Sequence, residues 1–177
     1  ESDTGILAFC KAWRLPASQT STLTIVGSGG GSYFESVMDE IKEDSRINYL
    51  GELDANAVEK TIQENNILVL PTGMDQNVKE NFGNVVVEAF INGRPVLVSE
   101  GLHWDNYANF SAVRRFEPGR DSAVQAIRTL ERLDADEYEY MCRDAFALAK
   151  RFHVAEAVSK VVNLLAPFPR SGISIVK

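Results

Sequence analysis

Two rhythms of apolar residues alternate along the chain. Runs 23–26, 47–51, 67–70 and 95–99 are short, rich in β-branched residues and apolar on both faces, which predicts buried strands. Between them the apolar positions return at helical spacing. Residues 5–15 carry Ile6, Phe9, Cys10 and Trp13 on one face, with Asp3 or Thr4 as cap and Pro16 as stop. Residues 33–44 repeat the pattern through Phe34, Val37, Met38 and Ile41, and 55–65 through Val58 and Ile62. Residues 82–84 read as a turn and 85–91 as a short apolar helix closed by Asn92-Gly93. A further strand is expected at 112–116, then helices at 120–133, 136–152 and 154–166, and a β-like tail at 173–177.

Doubly buried strands alternating with amphipathic helices predict an α/β fold, a Rossmann-like doubly wound parallel sheet with helices on both faces. In such a sheet the crossovers are right-handed and ligands sit beyond the carboxyl ends of the strands. Those ends fall at 27–32, 51–54, 71–84, 99–105 and 117–120, where most of the glycine-rich and polar loops lie.

Composition narrows the function. A length of 177 residues with 45% hydrophobic content suits one domain, 1–177, with a full core. The net charge of -7, with the basic residues scattered, argues against a nucleic-acid partner. Cys10 and Cys142 stand far apart with no metal-ligand spacing, and His103 and His153 are the only histidines, so reduced thiols and no metal are expected. No apolar run reaches membrane-spanning length, no leader pattern opens the chain, and Glu1 in place of Met reads as a processed or excised piece.

The candidate chemistry gathers in residues 80–100. A helix start with free N–H groups follows Gly83, with Glu80 just before it and Glu88 inside it. Such an end attracts an anion, and the two carboxylates suit hydroxyls, so the implied ligand carries both, as a sugar nucleotide does. Elsewhere Gly27-Ser28-Gly29-Gly30-Gly31-Ser32 resembles a dinucleotide loop but places Ser32 where the third glycine belongs, so a plain tight turn competes with a ligand contact. Trp104 and Tyr107 are candidates either for ligand stacking or for rim packing, and the acidic run 136–139 reads as a solvated helix start.

Leu70-Pro71-Thr72, Glu80-Asn81-Phe82-Gly83, Val87-Glu88-Ala89 and Gly93-Arg94-Pro95-Val96-Leu97-Val98-Ser99 together resemble the carboxyl-terminal half of a GT-B glycosyltransferase of the GT4 type, glycosyl transferases group 1. The similarity extends over about residues 5–166, and its signature is the pair of glutamates with seven residues between them. The resemblance implies a donor-binding domain of a retaining glycosyltransferase. The acceptor would be a glycan, a lipid-linked sugar or a small molecule, as in cell-envelope or polysaccharide synthesis. No cofactor or metal is implied. Glu80 would face the sugar ring in the catalytic role, and Glu88 would bind the ribose hydroxyls. Phe82, Gly83, Asn84 and Val85 would meet the sugar and diphosphate, Leu53 would lie against the base, and Gly27 and Gly29 would line the crevice. A nucleotide-sugar donor and an amino-terminal GT-B domain are the implied partners. The implied location is cytoplasmic, with peripheral attachment of the full-length protein at the inner face of the membrane as one option. A non-catalytic nucleotide-sugar-binding or interaction module with the same fold and an unrelated doubly wound nucleotide-binding domain remain the alternatives.

This chain departs from the family pattern in three ways. Residues 73–79 lengthen the loop before Glu80, the acceptor domain is absent so that the piece alone should be inactive, and the family's first strand with its basic residues is missing ahead of Gly5. That strand belongs in the middle of the sheet. The tail 173–177, read into residues 1–5, resembles it, which predicts that the tail supplies the central strand and brings Lys177 to the diphosphate; a loose tail, with that strand lent by a partner or missing, is the alternative.

Overall fold

The computed structural model describes residues 5–15, 21–71 and 83–152. In chain order these form α1 (Gly5–Arg14), β1 (Leu23–Ile25), α2 (Gly31–Ile41), β2 (Ile47–Tyr49), α3 (Ala55–Glu64), β3 (Leu68–Leu70), α4 (Asn84–Ile91) and β4 (Val96–Ser99). A 3-10 turn (His103–Tyr107), β5 (Val113–Phe116), α5 (Arg120–Glu131), α6 (Ala135–Ala149) and a second 3-10 turn (Lys150–Phe152) follow. Each predicted element within the described residues is present, with ends that differ by up to about three residues because caps and turns set them. The expected cap at Asp3 or Thr4, the stop at Pro16, the helix 154–166 and the tail 173–177 lie outside the described residues.

All strand pairings are parallel, as the doubly buried runs predicted. They fall into two groups, β1 with β2 and β3 with β4 with β5. Helices α1, α2 and α5 share one apolar cluster with Leu23 and Ile25 of β1, Val69 of β3 and Leu97 of β4. Helices α3, α4 and α6 share the other, with Leu70, Val96 and Val98. The two clusters therefore line the two faces of the β3–β4–β5 sheet, and the first also takes in β1, so both strand groups belong to one α/β core with helices on both sides. α1 packs against both α2 and α5 and so covers the junction between the groups.

Burial follows the pairing. β4, with a partner on each edge, is buried at every residue, whereas β1 is half-buried throughout and β3 is buried only at Leu70. β5 ends the sheet and exposes Arg114 and Arg115 between buried Val113 and Phe116, charges that discourage further strand pairing. One expectation fails in α1. Ile6 is exposed, and Leu7, Ala8 and Ala12 are buried beside Phe9, Cys10 and Trp13, because helices on two sides of α1 widen its inward face.

Two polar devices hold the ends of elements. Asp134 caps α6 in a reciprocal box with Glu137, so one member of the acidic run is a capping group while Asp136 and Glu139 are exposed as expected. Tyr138 on α6 donates to the Asn66 carbonyl at 2.9 Å and accepts from Arg94 at 3.2 Å. These bonds tie α6 to the starts of β3 and β4.

Candidate functional site

α4 is built by its punctuation. Gly83 takes φ +60° at the N-cap, a conformation that favours glycine, and its carbonyl accepts from Val86 N–H at 2.9 Å. The N-cap glycine supplies no side-chain cap, and the first-turn N–H groups of Asn84 and Val85 carry the partial positive charge of the helix start. At the other end Gly93 N–H donates to Phe90 and Arg94 N–H to Ala89, at 2.9 and 2.8 Å, the paired bonds of a Schellman motif. The Asn92-Gly93 stop read from the sequence is therefore real.

Between these ends, Val86, Ala89 and Phe90 are wholly buried. Asn84 and Glu88, one turn apart, share the exposed face. They line a cavity of about 310 Å³ together with Val87 and Phe152. Phe152 ends the 3-10 turn after α6. It is held from behind by rings of Phe90, Trp104 and Tyr107, with centroids 6.5, 5.6 and 5.5 Å away. Arg151 beside it stacks over Phe110 at 4.6 Å. The cavity is thus bordered by the first residue of α4, a carboxylate one turn in, and an aromatic ring.

The same cluster decides the role of Trp104. Its ring is fully buried against Phe90, edge-on at 5.6 Å, so it packs the rim and offers no face to a ligand.

The glycine loop after β1 is fixed to β2. Tyr49 Oη donates to the Gly27 carbonyl at 2.8 Å, and Gly27 N–H donates to Gly51 at 2.9 Å. The Phe34 ring lies edge-on to Tyr49 and covers Gly29 so closely that any β-carbon there would overlap it. Close packing alone thus requires glycine at 29. A β-carbon at Gly27 would meet open space, although its φ of +140° still favours glycine.

Gly27 and Gly29 follow β1, Leu53 follows β2 and is half-buried, and Gly83, Asn84, Val85 and Glu88 belong to the α4 start. Of these, Asn84 and Glu88 line the cavity, and Gly27, Gly29 and Leu53 do not. Glu80, Phe82 and Lys177 lie outside the described residues. Phe152 and Val87 were not singled out by the sequence. Phe152 is an apolar residue at a helix end, and only the fold of α6 back toward α4 gives it a place at the cavity.

Among the described residues no group of three His, Cys, Asp or Glu side chains could hold a metal ion. No helix among them is long and apolar enough to cross a membrane. Cys10 is buried, and desolvation followed by the Glu40 charge pushes its thiol up to about 12, while Cys142 is partly exposed.

A doubly wound parallel core, with a cavity bordered by the start of α4 and the Glu88 carboxylate, defines a Rossmann-like domain. The sequence profile described as glycosyl transferases group 1 matches residues 1–108, more than half of the chain. The chain belongs to this family. No curated protein matches its sequence significantly.

Solved structures share the fold. HepE from Anabaena, crystallised with UDP and glucose, superposes with a TM-score of 0.74 at 18% identity over 90% of this chain. Sucrose-phosphate synthase from Thermosynechococcus elongatus gives 0.71 at 18% identity over 94%. WaaG, a glycosyltransferase of lipopolysaccharide biosynthesis, gives 0.68 at 18% over 93%. The chain spans 44, 43 and 44% of these proteins, respectively. At such identities the likeness is one of fold, that of one half of a GT-B glycosyltransferase.

Proposed function

We propose that the chain is the donor-binding half of a retaining glycosyltransferase that takes its sugar from a nucleotide-sugar and passes it to a glycan, a lipid-linked sugar or a small-molecule acceptor. The observation that carries this reading is the α4 unit, where Glu88 and the uncapped helix start border one cavity. Membership of the glycosyl transferases group 1 family and the fold shared with HepE support it.

Each group has a chemical task. The Glu88 carboxylate accepts hydrogen bonds from the two ribose hydroxyls, which are donors placed side by side on one edge of the ring. The N–H groups of Asn84 and Val85, with the helix dipole behind them, receive the diphosphate. As the bond from the anomeric carbon to the phosphate oxygen breaks, negative charge grows on the leaving diphosphate, and fixed donors at that point lower the barrier. This supports a reaction without a metal ion. Glu80 faces the sugar ring, and Leu53, Gly27 and Gly29 border the donor. The acceptor comes from the amino-terminal domain that a GT-B enzyme places opposite, in a protein that is cytoplasmic or attached at the inner face of the membrane. The piece alone does not turn over.

Calorimetry with UDP-, GDP- and ADP-sugars tests the reading. Binding of one of them, lost in Glu88→Ala, is expected. Silence toward the whole panel contradicts it. Transfer to an acceptor by the full-length protein then separates an enzyme from a non-catalytic binding module.

A further inference from the structure

Phe152 occupies a place that the packing of the core does not by itself require. Phe90 and Trp104 are wholly buried, and Phe152 lies outside them, half-buried at the end of the 3-10 turn that follows α6. Its ring is nonetheless set by three others. It is nearly parallel to Phe90, with 21° between the planes, edge-on to Trp104 at 64° and tilted against Tyr107 at 52°. Just before it Arg151 stacks over Phe110, whose own ring lies 6.3 Å from that of Tyr107. A half-exposed ring seated in this way is a preformed surface, and a ligand that lies on it does not have to order it first.

That ring borders the Glu88 cavity. Asn84, Val87 and Glu88 reach the cavity from α4, and Phe152 reaches it from the turn after α6. The lining combines a carboxylate and an amide with an aliphatic and an aromatic side chain. Its volume of about 310 Å³ is at the small end for a ligand pocket, which suits one ring of a donor rather than all of it.

A ribose is divided in the same way. Its two vicinal hydroxyls lie along one edge, whereas its carbon-bound hydrogens form an apolar, weakly positive surface that matches the negative face of an aromatic ring. Glu88 is exposed, so its bonds to hydroxyls compete with water. An aromatic surface against the carbon side of the sugar takes that side out of water and adds a contact that the carboxylate cannot make.

We propose that the ring of Phe152 is the wall on which the donor's ribose lies, with carbon-bound hydrogens against the ring and hydroxyls on Glu88. This rests on the donor-binding reading above and adds a second element to it, since the nucleoside is held between α4 and the turn after α6.

UDP, GDP and ADP are titrated into the wild type by calorimetry, and the nucleotide bound most tightly is used throughout. In its complex with the unmodified protein, NMR should show nuclear Overhauser effects between the assigned Phe152 ring protons and the carbon-bound protons of the ribose. Phe152→Leu keeps an apolar side chain in front of Trp104 but removes the ring, and should weaken binding roughly three- to tenfold, for the 2′,3′-dideoxy nucleotide as well. Phe110→Leu loosens the same aromatic group away from the cavity and should change affinity by less than about twofold. Absent Overhauser effects in a saturated wild-type complex overturn the proposal even if the variant does not fold. Unchanged affinity in Phe152→Leu, or an equal loss in Phe110→Leu, overturns it too, and binding that still depends on Glu88 then leaves the donor reading standing. Failure of the wild type to bind any of the three nucleotides overturns both.

Discussion

Replacing Gly93 with alanine perturbs the one residue on which the end of α4 turns. Its φ of +64° closes the Schellman bonds to Phe90 and Ala89, and a β-carbon there would overlap the Phe146 ring. Two costs follow. The left-handed conformation costs an alanine about 1–2 kcal/mol. Phe146 is 53% exposed, so its ring can swing away into solvent. That rotation costs about 0.5–1.5 kcal/mol in strain and lost contact. The sum, about 1.5–3.5 kcal/mol, lowers the melting temperature by roughly 3–14 °C for a chain of this size. Urea unfolding of Gly93→Ala, Phe146→Ala and the double variant separates the parts. In the Phe146→Ala background the steric part vanishes, and a residual cost of about 1–2 kcal/mol should remain. A cost that falls to zero in that background would show that the backbone geometry is not what selects glycine.

Tyr138→Phe removes the link between α6 and the starts of β3 and β4, and leaves Arg94 short of an acceptor beside its buried Nε, which has no partner among the described residues. A loss of about 1–3 kcal/mol in chemical denaturation is expected. Arg46 bonds the Asp44 carboxylate and holds its pKa below the usual range. The folded-state value is depressed, so this contribution is present above the ordinary carboxylate pKa and is lost as pH falls through the lowered one. The stability gap between wild type and Asp44→Asn, followed by denaturation from pH 7 to pH 3, should therefore close toward the acid end. Cys10, with its pKa pushed up to about 12, should resist iodoacetamide at pH 8 until the protein unfolds, while partly exposed Cys142 is alkylated first. Peptide mapping by mass spectrometry reads both.

The parts of the fold that were legible in the sequence are those with local punctuation. Gly83 and Asn92-Gly93 bracket α4 because each needs a left-handed or cap geometry that few other residues adopt. The doubly buried run 95–99 announced β4 because only a strand with partners on both edges and helices on both faces can bury every side chain. What the sequence did not disclose depends on contacts distant in the chain. Phe152 becomes a cavity wall only because Phe90, Trp104 and Tyr107 gather behind it. Gly29 looked like a ligand-loop glycine, yet the ring of Phe34 is reason enough for it. Ile6 shared the helical spacing of Phe9 and Cys10 but faces outward, since the packing of two helices against α1, rather than its own period, set the buried face.

In the function proposed above, Glu88 binds the ribose hydroxyls of a nucleotide donor. A thermodynamic cycle by calorimetry measures it, with UDP and 2′,3′-dideoxy-UDP against wild type and Glu88→Gln. Charge-assisted bonds to two hydroxyls should make wild type prefer UDP by about 1.5–3 kcal/mol, roughly ten- to a hundredfold. Glu88→Gln should erase most of that preference while still binding both nucleotides through the diphosphate. Equal affinity of wild type for the two nucleotides, or a preference for UDP that survives Glu88→Gln unchanged, would contradict the account.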